Sequence, residues 1–202
     1  MRLATSLGFF GEKIEGGYTP SVESLRRCKA AGFNVLDAKF TSALKGNTEL
    51  VEDNWQELIY ELRNEAEKFG VEFSQSHPVF IVGGELDKQL PEIQELFHEM
   101  MQRSIVASSM LGVKWAVLHP VPVEENTEFN VEACIKKNFE FYAPVIDLAR
   151  KHNVGLAFEN MGGKPNVKKR FISSAEELSA LVDSYNDTGV GACWDFGHAN
   201  FT

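Results

Sequence analysis

Several ionisable and polar residues stand at the ends of short apolar runs that have strand character. In chain order these residues are Asp37, Gln75 and His77 (SQSHP), His119 (LHPV), Glu159 (AFENMGG), and Asp195 and His198 (CWDFGHAN). Two carboxylates and several imidazoles around one cavity suit a divalent cation such as Mn, Mg, Co or Zn. We therefore predict a metal site, with Glu159, Asp195, His77 and His119 as ligands, wherever these strand ends converge.

The period-two alternation of strand side chains indicates which of these residues point inward. Three rows are expected to share the inward face: Phe73, Gln75 and His77; Gly155, Ala157 and Glu159; Gly191, Cys193 and Asp195. A buried carboxylate at the head of such a row is costly unless it is paired or bound to a metal. The tryptophans are expected to pack between helices and the sheet: Trp55, Trp115 and Trp194.

Short β-rich runs alternate with amphipathic helical stretches along the chain. The strand candidates are 3–10, 33–40, 71–79, 113–121, 154–161 and 190–195. The helix candidates between them are 21–31, 49–69, 86–111, 130–152 and 174–185. Residues that tolerate the left-handed conformation follow four of these helices: Gly32, Gly70, Gly112 and Asn153. The serine pair at 173–174, followed by two glutamates, predicts a capping box for the fifth helix.

This alternation predicts βα units, and two architectures are built from them. A doubly wound nucleotide-binding sheet would show G-x-G-x-x-G after the first strand, but the segment here reads GFFGEKIEGGYTP, and no Walker-type motif occurs. We therefore predict an α/β fold of the (β/α)8 TIM-barrel type. About six βα units are present, so residues 1–202 are expected to form a single, incomplete barrel domain.

Three phrases carry a resemblance to a known superfamily. AFENMGG with Glu159, WDFGHAN with Asp195 and His198, and AAGFNVLDAKF resemble the xylose-isomerase-like superfamily. That group includes sugar and sugar-phosphate isomerases and epimerases, hydroxypyruvate isomerase, inosose dehydratases and endonuclease IV-type repair enzymes. The resemblance spans essentially the whole chain, and its most specific part is Glu159 together with the D-x-x-H pair.

The resemblance implies roles for individual residues. Glu159 and Asp195 would be metal ligands, Glu159 would also be a catalytic acid/base, and His198 would contact substrate oxygens. His77, His119 and Glu159 match the trio that binds one zinc in the endonuclease IV family. A histidine from strand seven and a glutamate from strand eight complete the family's ligand set, and this sequence holds no counterpart of either.

Charge and composition limit the kinds of partner that the protein is expected to bind. The chain has 29 acidic and 20 basic residues and a formal net charge of −9, which argues against a surface that binds nucleic acid. Its three cysteines are scattered and odd in number, which indicates a reduced, cytoplasmic setting. No apolar run approaches the ~18 residues of a membrane helix, so no membrane association is expected.

A basic loop could bind a substrate phosphate or simply be solvated: Lys164, Lys168, Lys169 and Arg170.

Three functions compete at this point. The leading one is a metal-dependent sugar or sugar-phosphate isomerase or epimerase that transfers a proton through an enediolate. The alternatives are an endonuclease IV-like metal phosphodiesterase and a non-catalytic, degenerate barrel. Because an incomplete barrel leaves its first and sixth strands with unpaired edges, self-association as a homo-oligomer is also expected.

Overall fold

The computed structural model describes residues 2–10, 18–46, 48–81, 86–121, 130–162 and 171–200. Its strands are β1 (Thr5–Ser6), β2 (Val35–Lys39), β3 (Glu72–His77), β4 (Trp115–Leu118), β5 (Gly155–Glu159) and β6 (Val190–Cys193). Its α-helices are α1 (Ser21–Ala30), α2 (Trp55–Phe69), α3 (Pro91–Met110), α4 (Val131–Lys151), α5 (Ala175–Tyr185) and α6 (Phe196–Ala199). Strand one is much shorter than predicted, because a 3-10 turn at Leu7–Phe10 replaces the second half of it.

The six strands form one parallel sheet whose order follows the chain, from β1 to β6. A doubly wound sheet would reverse its order at a switch point. This sheet runs in a single direction, with helices between successive strands, and the predicted TIM-barrel type of α/β fold is confirmed. β1 and β6 are its outer strands, and the predicted self-association through them stays a prediction.

Helices end and begin where local sequence requires it. Gly70 follows α2 with φ of 60°, and Asn153 follows α4 with φ of 56°, a conformation that both residue types tolerate. At the start of α5, the Ser174 hydroxyl accepts a hydrogen bond from the Glu177 N–H at 3.3 Å. The Glu177 carboxylate in turn accepts one from the Ser173 N–H at 3.3 Å. This arrangement is close to the capping box that the sequence predicts, except that the glutamate accepts from Ser173, the residue before the N-cap Ser174.

A β-bulge in β3 corrects one predicted row of side chains. Leu36 pairs with Phe73, whereas the next residue, Asp37, pairs with Gln75, so β3 holds one extra residue there. Phe73 joins Leu36 in the apolar core, while Gln75 and His77 both contact Asp37. The prediction that Phe73 shares the inward face with Gln75 and His77 is wrong, because the extra residue resets the alternation.

Trp115 does not pack between a helix and the sheet as predicted. A Cβ added to Gly155 would lie 2.5 Å from its ring, and one added to Gly191 would lie 3.1 Å from it. Both glycines belong to the rows that end in carboxylates, so the indole crosses the inner face of β5 and β6. Trp194, also expected to be covered, is 39% exposed. Trp55 is partly buried against the core, as predicted.

Among the residues that the structure describes, no helix combines the length and apolar character needed to cross a bilayer.

Candidate metal centre

Five side chains meet at the carboxyl ends of β3 to β6, and we call them the donor cluster: His77, His119, Glu159, Asp195 and His198. Their possible ligand atoms fall into two groups, each with all atoms within 4.8 Å of one another. One group is His77, His119 and Glu159, and the other is Glu159, Asp195 and His198. The structure thus brings together every residue that the sequence analysis singled out as a ligand or catalytic group, with Glu159 shared, while their roles stay predictions.

Glu159 is the last residue of β5 and only 5% exposed. Its Oε2 lies 2.9 Å from Nε2 of His119, which follows the end of β4. The backbone of His119 is fixed from α4, where the buried Tyr142 hydroxyl donates a hydrogen bond of 2.5 Å to its carbonyl oxygen. The Phe80 ring lies 4.4 Å from the His119 ring, between centroids, and shields one side of it.

His77 is oriented by Asp37, a residue whose role the sequence left open. Nδ1 of His77 lies 2.6 Å from Oδ2 of Asp37, which also accepts a hydrogen bond of 3.0 Å from Gln75. Burial disfavours the charged imidazole, but this hydrogen bond and the nearby charges of Asp37 and Glu159 outweigh burial, so the pKa of His77 is raised. With Nδ1 bound to the carboxylate, Nε2 is the nitrogen of His77 available to a ligand.

Asp195 lies just beyond β6 and caps the single turn of α6. Its Oδ1 accepts a hydrogen bond of 2.9 Å from the His198 N–H, and this bond is the largest cause that lowers the pKa of Asp195. An oxygen of the Asp195 carboxyl also lies within 4.8 Å of one of the Glu159 carboxyl. The helix-cap role and the cluster role of Asp195 are therefore compatible, since one oxygen serves each.

Asn160 is a site residue that the sequence analysis missed. It follows Glu159 directly, is 0% exposed, and makes hydrogen bonds to both Asp195 and His198. The sequence shows only that an asparagine follows directly after Glu159, at the end of an apolar strand. This alone does not indicate a role, because its hydrogen-bond partner, Asp195, lies 35 residues further along the chain.

Cys193 pairs with Glu159 in the β5–β6 register and belongs to the same row as Asp195. Burial, and then the charges of Glu159, Asp195 and Asp37, raise the pKa of this thiol to about 11. Cys193 is therefore a neutral thiol at physiological pH and adds no charge to the cluster. The basic loop at 164–170 lies outside the described residues.

The chemistry of the donor cluster fits a divalent cation. Two carboxyls with oxygens within 4.8 Å of each other repel when both are ionised, and a cation between them removes that repulsion. The imidazole nitrogens complete a mixed N/O donor set of the kind that Zn, Co and Mn accept. Asp37 contributes a further negative charge behind His77, and its Oδ1 is buried without a hydrogen-bond partner among the described residues. A cation would relieve this concentration of negative charge.

Comparison with known proteins decides the family. The xylose isomerase-like TIM barrel family matches residues 25–202. The chain belongs to this family. A solved D-tagatose 3-epimerase-like protein of the same fold is 18% identical, with a TM-score of 0.71, over 99% of this chain and 67% of its own. The TTHB071 protein of Thermus thermophilus, from a crystal soaked with ZnCl2, is 23% identical, with a TM-score of 0.61, over 98% of this chain and 67% of its own.

A curated relative of this chain is described as a nuclease. A probable endonuclease 4 of Acholeplasma laidlawii is 29% identical to this chain over 112 residues, which are 54% of this chain and 36% of the relative. The match therefore spans only about a third of that protein. The proteins similar to this chain thus include a D-tagatose 3-epimerase-like protein and a probable endonuclease 4.

Proposed function

We propose that this protein is a divalent-metal-dependent enzyme that isomerises or epimerises a sugar or sugar phosphate by proton transfer. The proximity of the buried Glu159 carboxyl to the Asp195 carboxyl, with possible ligand oxygens within 4.8 Å of each other, carries the proposal. Little solvent reaches Glu159 to screen the repulsion between them, so a bound cation is the natural counter-charge.

Glu159, Asp195, His77 and His119 would hold the metal. When bound, the metal would polarise the carbonyl of a ketose and make the neighbouring C–H bond more acidic. All four of these side chains lie in the described part of the chain. That they act as the metal's ligands is part of the proposal. The D-tagatose 3-epimerase-like neighbour supports a small sugar as the substrate class.

Glu159 would remove the proton from that C–H bond, whose electron pair then forms the C=C bond of an enediolate. Return of a proton to the opposite face of the same carbon gives an epimer, and return to the adjacent carbon gives an isomer. His198 would hold a substrate hydroxyl through Nε2, because its Nδ1 already contacts the Asn160 carbonyl oxygen at 2.8 Å.

Deuterium exchange tests this reaction directly. The purified protein, supplied with Mn, Co, Zn or Mg, is incubated with ketoses and ketose phosphates in D2O, and NMR follows deuterium at the carbons beside the carbonyl. Exchange should occur with at least one substrate and stop when a chelator is added. Glu159→Gln should slow it by at least about 100-fold, the usual contribution of a general base.

Glu140→Gln is the matched control, because the same change is made at an exposed ion pair on α4 and should leave exchange unaltered. Metal-loaded protein that exchanges no substrate of the panel would refute the proposal.

A phosphodiesterase of the endonuclease type is the second candidate. The group of His77, His119 and Glu159 supports it, as does the probable endonuclease 4 match. The net charge of −9 opposes it, since a DNA backbone requires a basic footprint. Incision of a duplex that carries an abasic site separates the two: metal-dependent cleavage lost in His119→Ala would favour the phosphodiesterase.

A further inference from the structure

Asn160 touches the donor cluster through both its side chain and its backbone. Its Oδ1 accepts a hydrogen bond of 2.5 Å from the Asp195 N–H, and its Nδ2 donates one of 3.0 Å to the Asp195 carbonyl oxygen. Its own carbonyl oxygen lies 2.8 Å from Nδ1 of His198. One fully buried residue is thus bonded to two members of the cluster and covalently joined to a third, Glu159.

These bonds replace strand pairing where the sheet ends. The Asn160 N–H donates to the Cys193 carbonyl oxygen at 3.2 Å, and β6 stops at that residue. Asp195 is two residues further on and has left the sheet. The Asn160 amide offers both a donor and an acceptor, so it satisfies both backbone groups of Asp195 and holds them at a fixed distance from β5.

The bond to His198 selects a tautomer. A carbonyl oxygen only accepts hydrogen bonds, so Nδ1 of His198 must carry the proton in this contact. In the neutral imidazole Nε2 then keeps its lone pair and is free to accept from a substrate hydroxyl or to bind a metal.

We infer that Asn160 is a positioning residue, which sets the distance of Asp195 from Glu159 and the tautomer of His198. The inference rests on the proposed function, in that Asp195 is taken as a metal ligand and His198 as a substrate contact. Asn160 itself touches neither metal nor substrate.

The chain contains a matched control for this arrangement. Asn138 on α4 is equally buried, and its amide makes the same reciprocal pair with Val121, accepting from the N–H at 2.7 Å and donating to the carbonyl oxygen at 2.8 Å. Val121 is not a member of the donor cluster. Asn160→Asp and Asn138→Asp therefore remove the same donor from the same kind of buried pair.

Calorimetric titration of the purified protein with Mn2+ measures the effect on the metal site. Asn160→Asp should bind the ion at least about 10-fold more weakly than the wild type, and Asn138→Asp should stay within about threefold of it. Equal affinities in the two variants would overturn the inference. A wild-type protein that binds no Mn2+, Zn2+ or Co2+ would instead refute the proposed function.

The imidazole nitrogen shifts of His198 test the inference without any metal. In the metal-free wild type at about pH 8, long-range 15N–1H NMR spectra should show the Nδ1–H tautomer of His198. Asn160→Asp keeps the backbone carbonyl that accepts from His198, but it removes a hydrogen bond that holds Asp195, which caps the turn carrying His198. A share of the Nε2–H tautomer should therefore appear in this variant. Asn138→Asp should retain the wild-type pattern. A wild-type His198 in the Nε2–H tautomer would overturn the inference even if no variant folds.

Discussion

The two ends of β5 and β6 have opposite character. At their amino ends Gly155 and Gly191 leave room for the Trp115 ring, and at their carboxyl ends Glu159 and Asp195 bring two carboxyls within 4.8 Å of each other. The amino end is a packing arrangement that stabilises the sheet. The carboxyl end gathers carboxyl and imidazole groups as possible ligands around one place, which favours a bound cation. The same two strands thus separate stability from binding along their length.

The largest effect is expected at the amino end. Gly155→Val places a branched side chain where a Cβ alone would lie 2.5 Å from the Trp115 ring. The free energy of unfolding in urea should fall by about 3 kcal/mol, the upper part of the usual range for overpacking. The metal affinity of the folded protein should stay within about threefold of the wild type.

The double variant Gly155→Val with Trp115→Ala provides the control, because removal of the indole should recover part of the lost stability. A Gly155→Val protein of full stability, or one that loses metal affinity without unfolding, would break the separation between the two ends.

An effect of intermediate size is expected at the carboxyl end, where metal affinity should change instead of stability. Asp37→Asn removes the negative charge behind His77 while keeping the size of the side chain. Metal affinity should fall about 10-fold, or about 1.4 kcal/mol, because the imidazole becomes a poorer donor. Titration calorimetry measures it, with the exposed Asp53→Asn as control. An unaltered affinity would show that His77 is not a ligand.

The smallest effects on stability are expected at two tyrosines that pack on Phe158, in the middle of β5. Tyr142 lies edge-on to that ring and Tyr185 stacks on it, with centroid distances of 5.3 and 5.4 Å. The Tyr142 hydroxyl bonds to the His119 carbonyl oxygen, whereas the Tyr185 hydroxyl is buried with no partner among the described residues. Thermal unfolding should therefore show Tyr142→Phe less stable by about 1 kcal/mol and Tyr185→Phe more stable by a similar amount. Equal effects would show that the Tyr142 hydrogen bond does not contribute to stability.

Tyr185 also predicts a dependence on alkaline pH. Burial raises the pKa of Tyr185 in the folded chain, while the unfolded chain keeps a value of about 10. The folded state thus retains its proton to higher pH, so stability is fully present below about pH 10 and falls as the pH rises above it. Urea unfolding at several pH values should show a shallower fall for Tyr185→Phe, and an identical fall would contradict the assignment.

The sequence predicted the alternation of strands and helices and the placement of the donor cluster at strand ends. Both depend on local signals, such as Gly70 at a helix end, or on a rule that holds for every parallel barrel. His119 and Glu159 could be found because each ends an apolar run, and His77 because it stands before a proline at the end of a predicted strand. Signals of this kind need no knowledge of strand pairing.

The errors arose where pairing between strands decides the outcome. The extra residue at Ser74 in β3 has no sequence marker, so Phe73 was assigned to the wrong face. Trp115 lies on the inner face because its neighbour in the β4–β5 register is Gly155, which has no side chain there. The sequence alone does not show which residues are paired between strands. Asn160 was missed for the same reason, since its meaning depends on Asp195, which follows the neighbouring strand.

The order of the strands in the sheet follows their order in the chain, and this has a consequence for biosynthesis. Each βα unit can pair with its predecessor as it leaves the ribosome, without waiting for a distant segment. The imidazoles that end β3 and follow β4 are then in place before the first carboxylate of the cluster emerges. Docking of β6, the last strand of this series, is the step that brings Asp195 against Glu159. Most of the nascent sheet therefore forms before the mutual repulsion of these carboxylates can oppose it.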